Sequence, residues 1–387
     1  MDEKEDKRTV RTFAAASFLN DFGSDMIYPV WPLFVLALGA NMEILGFIDG
    51  LGDALVSLSQ AASGYVSDRI RRRKVFVWTG YVFGSASRVG YALSSIWQQL
   101  IPFRILDRAG KMRGAPRDAM IADASTNENR GKHFGLLRAM DNLGATCGII
   151  LCIALLYFLH WSYNNIFLIA AVPSVIAVIL VVVVIREKRE TGQRIFKGFT
   201  LKDIDNNFRL FLVLSALFAL ASFSYSFLLI FASRSGFPPY TVPILYLIFT
   251  VFAALFSYPF GRLADRVGRK NVLFLAYGFW VLLCLIFIFL QTYWAILFTF
   301  VLYGLHRAAI EPVQRTIVSE IAPVQYRASS LGAFQLVIGV CALPASLAAG
   351  ILWQTVGPVV PFIVSLALTV VSGIMLLGVK EKRPASQ

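Results

Sequence analysis

An all-α membrane protein of twelve transmembrane helices, arranged as two pseudo-symmetric six-helix bundles, is the architecture this chain predicts, and three observations predict it. The 387 residues are 57% hydrophobic and 14% aromatic but only 15% charged, beyond the usual range of a water-soluble domain. Apolar stretches of about 20 residues, enough for a helix to cross a hydrocarbon core roughly 30 Å thick, recur along the whole chain. The second half also repeats charges and glycines of the first at a constant interval.

Taken in order, the elements begin with a polar tail, residues 1–11, whose first ten residues, MDEKEDKRTV, mix acids and bases. The apolar run behind it is too long for a signal-peptide core, so the first helix is expected to stay in the mature chain. The spans predicted are 12–38, 44–66, 75–96, 100–124, 133–159 and 166–185 in an N-terminal bundle, residues 12–185. A charged linker, 186–209, follows. The C-terminal bundle, 210–379, holds spans 210–232, 242–263, 272–290, 293–319, 328–353 and 359–379, and a short tail, 380–387, ends the chain. The fourth and tenth spans carry the most charge.

Basic residues cluster in alternate loops: Arg69, Arg71, Arg72, Arg73 and Lys74; Arg130 and Lys132; Arg186, Lys188, Arg189, Arg194, Lys197 and Lys202; Arg262, Arg266, Arg269 and Lys270; Lys380, Lys382 and Arg383. On the opposite side only Arg234 stands out. The positive-inside rule therefore places the linker and both termini in the cytoplasm of a multi-pass protein of the cell membrane. It also accounts for the net charge of +13, which in a soluble chain would suggest a nucleic-acid partner; none is expected here.

Adding 197 to a first-half position lands on its counterpart without a gap: Gly64 on Gly261, Asp68 on Asp265, Arg69 on Arg266, Asp123 on Glu320, Arg130 on Arg327, and Gly135 on Gly332. Two parallel halves joined by a linker are the mark of a duplicated transporter, with a substrate site expected between them near the midplane. The segments GYVSDRIRRRK, from Gly64, and GRLADRVGRKN, from Gly261, carry their own chemistry. A small residue lets a neighbouring helix approach, an Asp can bond a helix N-terminus or a base, and the trailing bases anchor at an anionic leaflet.

These two segments resemble the signature of the major facilitator superfamily, found in the loops after the second and eighth helices. The second copy fits fully, whereas Arg71 stands where the first would have Gly. The resemblance runs from the first helix to the last and implies alternating access by rocking of the two halves around a central cavity. It further implies that Asp68, Arg69, Asp265 and Arg266 latch the inward gate, with Asp123 and Arg130, and Glu320 and Arg327, as partners in each half. The alternative is that these charges only set topology, although the acidic ones do nothing for orientation.

Arg104 stands where many family members carry a cavity-facing Arg, but Arg108 replaces the Gly expected four residues later. Gly135, Gly144 and Gly148 resemble the antiporter motif, yet Ala145 and Ile149 replace its Pro and last Gly, which weakens a drug-export reading. The segments DRAGKMRGAPRDAMIADAS, from Asp107, and FLNDFGSDMIYPVWPLF, in the first helix, are similar to those of a poorly characterised prokaryotic branch of the family.

Charge inside the membrane is the remaining functional signal. The first five spans hold Asp21, Asp25, Asp107, Asp118 and Asp141 against Arg88, Arg104, Arg108, Lys111, Arg113, Arg117 and Arg138. At roughly 3 kcal/mol each, leaving these groups in lipid would cost on the order of 30 kcal/mol, so they must pair or line water. Helical spacing puts Arg104, Asp107, Arg108 and Lys111 on one stripe, Asp21 with Asp25 on another, and Arg138 with Asp141 on a third. Arg117 and Asp118 are placed nearer the interface, within snorkelling reach. With Arg88, the stripes make up the expected cavity set.

Three readings stay open. The network is a closed set of salt bridges, or its surplus of bases holds an anionic solute, or Asp21 and Asp25 bind a cation or coupling proton. In the tenth span Arg307 with Glu311, or Glu311 with Arg315, suits an intrahelical pair, and His306 could relay a proton. Cys147, Cys152, Cys284 and Cys341 sit in apolar helices without metal-ligand spacing. Aromatic residues such as Phe223, Tyr225 and Phe227 are core or lipid-facing.

No HExxH, GxSxG or P-loop is present, so neither an enzyme nor an ATP-driven pump is expected. A receptor or sensor would carry an appended soluble domain, which the linker is too short to be. The expectation is a monomeric secondary transporter without cofactor or metal, moving an anionic or amphipathic small solute under a proton or ion gradient. A proton-coupled multidrug or cation exporter is the alternative.

Overall fold

The computed structural model describes residues 3–70, 72–126, 129–187, 205–322 and 327–381. All regular structure among them is helical. In the first half lie α1 (Glu3–Ile27), α2 (Trp31–Ala37), α3 (Met42–Ile70), α4 (Arg73–Leu93), α5 (Leu100–Ala109), α6 (Gly114–Asp123), α7 (Arg130–Phe158) and α8 (Tyr163–Val184). In the second lie α9 (Asn206–Ala221), α10 (Tyr225–Arg234), α11 (Val242–Val267), α12 (Arg269–Phe289), α13 (Tyr293–Ile321), α14 (Arg327–Thr355) and α15 (Val360–Leu377).

These helices fill twelve spans. The first, fourth and seventh are each broken in two, for local reasons. Pro29 supplies no backbone donor and disfavours helical backbone at Tyr28, which separates α1 from α2. A 3-10 turn, Gly110–Arg113, joins α5 to α6; there the backbones of α4 and the turn touch, and a Cβ on Gly80 would lie 2.6 Å from the Gly110 carbonyl. Ser224 ends the third break by accepting a bond from the Ser226 N–H at the start of α10, as N-cap serines do.

Eight helical stretches, from α7 onward with α9–α10 as one, are long and apolar enough to cross a membrane on those grounds alone. Of the first four spans, three are lowered in hydropathy by the charges they carry, and the fourth is split into two helices of ten residues each. The polar tail 1–11 is not a separate segment: α1 begins at Glu3, since its Glu, Lys and Arg residues are good helix formers and Asp6 and Val10 are buried. α9 likewise starts at Asn206, inside the expected linker. Lys188, Arg189, Arg194, Lys197 and Lys202 of the linker, with Lys382 and Arg383 of the tail, lie outside the described residues.

The chain forms two compact units: Met1–Ala40, Leu51–Gln193 and Pro239–Pro243 in one, Asn41–Gly50, Arg194–Pro238 and Ile244–Gln387 in the other. Residues 41–50, expected in the N-terminal bundle, thus pack in the second unit, and α3 is divided between the two. In the first unit α1 lies against α7 and α8, and α4 against α5 and α8. Gly144 and Gly148 let α7 meet α1, since a Cβ at either would sit 2.3 or 2.1 Å from the carbonyls of Phe18 and Phe22. In the second unit α12 lies against α13 and α15, and α9 against α14 and α15.

The interval of 197 holds across this loop, but the helices after it start one residue out of step. Residues 71 and 72 separate α3 from α4, but Gly268 alone separates α11 from α12. With one residue to turn on, the second loop adopts φ +98° at Gly268, a conformation that favours Gly. Arg71 itself lies outside the described residues.

Candidate functional site

Ser17, Asn20, Asp21, Ser24, Asp25 and Tyr28 recur every three or four residues on α1 and so form one polar stripe. On α5, Arg104, Asp107 and Arg108 are buried while Pro102 and Ile105 are exposed. α7 adds Arg138 and Asp141, and α4 adds Arg88.

Arg88 is 2% exposed. It donates to the Ala170 carbonyl at 3.1 Å and to the Asn20 carbonyl and side chain at 3.0 and 3.2 Å. Gly23 makes this possible, because a Cβ there would sit 2.3 Å from the Ala170 oxygen and 2.4 Å from Nη1 of Arg88. The Arg104 guanidinium lies 4.3 Å from the centre of the Trp31 ring. That of Arg108 lies 5.1 Å from the Tyr28 ring, with Nε 3.6 Å from Asp107. Planar, weakly hydrated guanidinium groups gain from such ring faces.

Arg113 lies over Tyr81 at 4.9 Å and within 4.0 Å of Asp21. Arg117 donates to Ser17 at 2.7 Å, pairs with Asp118 at 2.9 Å and lies 3.9 Å from Asp141, which Arg138 approaches to 3.6 Å. Asp25 is within electrostatic reach of Asp21, Lys111 and Arg88, and Asp107 of Arg104, Arg108, Lys111 and Arg88. All nine residues of the expected cavity set therefore belong to one connected system of charges in the first unit. Exposure differs among them: Arg88, Arg104, Asp107, Arg108 and Asp141 are buried, Asp21, Asp25 and Lys111 half-buried, and Arg138 exposed.

Apolar layers bound this system. On one side Val10, Phe13, Val77, Tyr81, Ile121, Leu137 and Val181 form a closed core. On the other, Trp31 packs on Tyr91 and Phe34 on Phe167. Between the layers, low dielectric strengthens each ionic contact, and Asp21, Asp25 and Lys111 are its half-buried members.

The sequence reading left Arg113, Ser17, Asn20 and Tyr28 outside the cavity set and placed Arg117 near the interface, where the structure instead has it bonded to Ser17 and close to Asp141. Their spacing from Asp21 and Arg108 was the available signal. It also passed over Asp49, whose carboxylate accepts bonds from Ser224 at 2.7 Å and Ser226 at 2.5 Å, all within the second unit. An acid inside the apolar run 44–66 was the sign.

Among the gate candidates, Asp123 pairs with Arg73 and Glu320 with Arg269 at 2.8 Å. Asp265 also meets Arg269, at 3.2 Å. Arg69, Arg130 and Arg266 are exposed, and the side chains of Asp68 and Arg327 lie outside the described residues. A matching clasp closes each helix start nearby: Glu187 accepts from the Lys74 N–H, and Glu381 from the Arg269 N–H. Lys74 and Lys270 donate to the last carbonyls of α8 and the end of α15. The signature glycines are less crowded than their motif suggests: a Cβ on Gly261 would meet open space, and one on Gly64 only Ala115 at 3.4 Å.

His306 is buried and bonds the Ala276 carbonyl at 2.8 Å amid Phe218, Trp280 and Tyr303. Arg307 and Glu311 form the intrahelical pair. Among the described residues no group of three or more His, Cys, Asp or Glu could hold a metal, and all four cysteines are free.

The sequence model of the Major Facilitator Superfamily matches residues 13–252 and 210–387. An uncharacterized MFS-type transporter of Methanocaldococcus jannaschii is 34% identical over 382 residues, 97% of this chain and 96% of that protein. Among solved structures, a mutant of the nucleoside transporter NupG superposes with a TM-score of 0.80 at 15% identity, covering 96% of this chain and 100% of that one. A bacterial homolog of the human lysosomal transporter Spinster gives 0.72 at 14% identity, covering 98% and 99%.

Proposed function

The chain belongs to the Major Facilitator Superfamily, the membrane transporters of small solutes, and from that premise we propose that it is a secondary transporter of a small anionic solute, driven by a proton or ion gradient through alternating access. The observation that carries the reading is the composition of the charged layer. Four buried guanidinium groups, Arg88, Arg104, Arg108 and Arg113, share it with two buried carboxylates, Asp107 and Asp141, while among the half-buried members Lys111 and Arg117 stand against Asp21, Asp25 and Asp118. Cations held at low dielectric favour an anion that enters among them.

In this reading Arg108 and Lys111 meet the solute's anionic group, and Arg88 and Arg104 hold the helices around it. Asp21 and Asp25, half-buried on α1, exchange the coupling ion, with Arg138 and Asp141 at the rim. Arg73 with Asp123, and Arg269 with Glu320 and Asp265, tie the gate ends together beside Asp68, Arg69, Arg130, Arg266 and Arg327. The basic loops put both termini in the cytoplasm of the cell membrane, and the protein acts as a monomer.

The test is uptake into liposomes holding the purified protein, with labelled anionic, neutral and cationic solutes under an imposed pH or sodium gradient. Anionic solutes should accumulate, and Arg108→Gln or Lys111→Gln should weaken their binding by about tenfold or more. Equal uptake of cationic solutes, insensitive to both substitutions, would sink the reading; uptake indifferent to every gradient would remove the coupling.

A further inference from the structure

We infer that Tyr91 of α4 binds the solute: its buried hydroxyl donates a hydrogen bond to a carboxylate or phosphate oxygen that Arg108 holds, and so selects for an oxyanion. Tyr91 is 1% exposed, and among the described residues no group hydrogen-bonds its hydroxyl. A buried polar atom in that condition costs stability. The cost is avoidable, since removing one oxygen gives phenylalanine. At the same distance from the start of α12 stands Phe287, in a ring cluster with Phe231 and Phe362, and the interval of 197 lands instead on Ile288. By either register the second half does without the hydroxyl.

Packing holds the phenol in place for a ligand. The Tyr91 ring lies 4.9 Å from that of Trp31, 6.3 Å from Phe167 and 6.5 Å from Phe103, centre to centre. Gly90 admits Phe103 beside it, because a Cβ there would fall 2.2 Å from that ring. Three neighbouring rings leave the phenol few other orientations, and a donor fixed in advance binds at low entropic cost. Trp31 also carries the Arg104 guanidinium, 4.3 Å from its ring centre. Gly52 brings α3 up to the same groups, since a Cβ there would lie 3.0 Å from Nε of Arg104 and 3.3 Å from Nε of Arg108. Tyr91 is within electrostatic reach of Asp107, Arg104, Arg108 and Tyr28.

Guanidinium groups only donate hydrogen bonds, so an atom that enters beside Arg108 must accept them. Tyr91 adds a neutral donor to that place. Carboxylate and phosphate groups have oxygens and lone pairs enough to take a guanidinium and a phenol together. In the alternating-access cycle of the transport reading each part of the layer opens in turn, so a hydroxyl closed off in one state meets solute in another. Tyr81 also has a hydroxyl without a hydrogen-bond partner among the described residues. It lies in the closed core, however, and Tyr277 stands at its distance along α12.

The assignment rests on the anionic-solute reading, and its test separates the two. Full-length wild type, Tyr91→Phe and Arg108→Gln in lipid nanodiscs would be melted alone and with rising acetate, succinate or inorganic phosphate, at constant ionic strength. Without added anion Tyr91→Phe should melt at or above wild type, because it discards a polar atom that has no partner. At least one probe should raise the wild-type melting temperature with its concentration, and which one does so tells carboxylate from phosphate. Tyr91→Phe should need about tenfold or more of that probe for the same rise. An equal response of Tyr91→Phe and wild type, with Arg108→Gln weakened, overturns the inference and spares the reading. A lower melting temperature of Tyr91→Phe without anion overturns it too, by showing that the hydroxyl serves the fold. If no probe moves wild type the inference also falls, since the site then recognises neither oxyanion, while the uptake assay still decides the reading.

Discussion

Arg88 on α4 and Cys284 on α12 stand the same distance from the starts of their helices, yet they join their neighbours by different chemistry. Arg88 gathers α1 and α8 through three hydrogen bonds to Asn20 and Ala170. Cys284 lies 3.8 Å from the Ser365 hydroxyl, which also accepts from the Trp280 indole at 2.8 Å, and the Trp280 ring packs on His306, Phe223 and Tyr303. The two halves share a scaffold but not an interior. A buried charge needs every partner at once, whereas ring packing needs only matched volume. On the proposed reading, ion or solute chemistry belongs to the half that keeps the charges, and the other supplies a close-packed aromatic body.

The largest expected effect comes from backbone contact rather than chemistry. Gly148→Leu would drive a side chain into the Phe22 carbonyl of α1 and should leave no monodisperse protein by size-exclusion chromatography. Gly332→Leu, facing open space in the second half, should purify normally. If both behave alike, glycine-mediated packing is not what distinguishes α7.

Next is the aromatic body: Trp280→Ala should cost about 3–5 kcal/mol through the cavity it leaves, read as a lower melting temperature that does not change with pH. Arg88→Cys should cost about 3 kcal/mol because it removes bonds from a charged donor. Equal melting of Arg88→Cys and wild type would show that the charged layer does not hold the first unit together.

The smallest effect is expected at the gate ends. Arg73→Ala and Asp123→Asn should each cost about 1 kcal/mol or less, being a partly exposed pair, and a double-mutant cycle should show them coupled. Arg269→Ala should cost more than Arg73→Ala, since Arg269 is buried and reaches both Glu320 and Asp265. The reverse order would mean that the two ends are not equivalent clasps.

Much of this was readable beforehand. Apolar length marked the spans from α7 onward most clearly, because crossing a bilayer demands about twenty residues whatever their order, while charges interrupt it in the first four. The breaks at Tyr28 to Val30 and at Ser222 to Ser224 were not marked, since hydropathy is blind to backbone angles, although Pro29 was a local sign. The charged layer was visible as an energetic impossibility in lipid, and its stripes followed from the helical period.

What the sequence by itself determined is the set of groups that must avoid lipid and the groups sharing a face within each helix, because both depend only on composition and a period of 3.6 residues. Which helix supplies each partner was decided in three dimensions. Asp123 takes Arg73, and Asp49 takes two serines 175 and 177 positions away. Such pairings depend on how far one helix slides and turns against another, which is set by non-local backbone contacts such as Gly23 on Ala170 and Gly46 on Ser346. Spacing along a single helix does not contain that information.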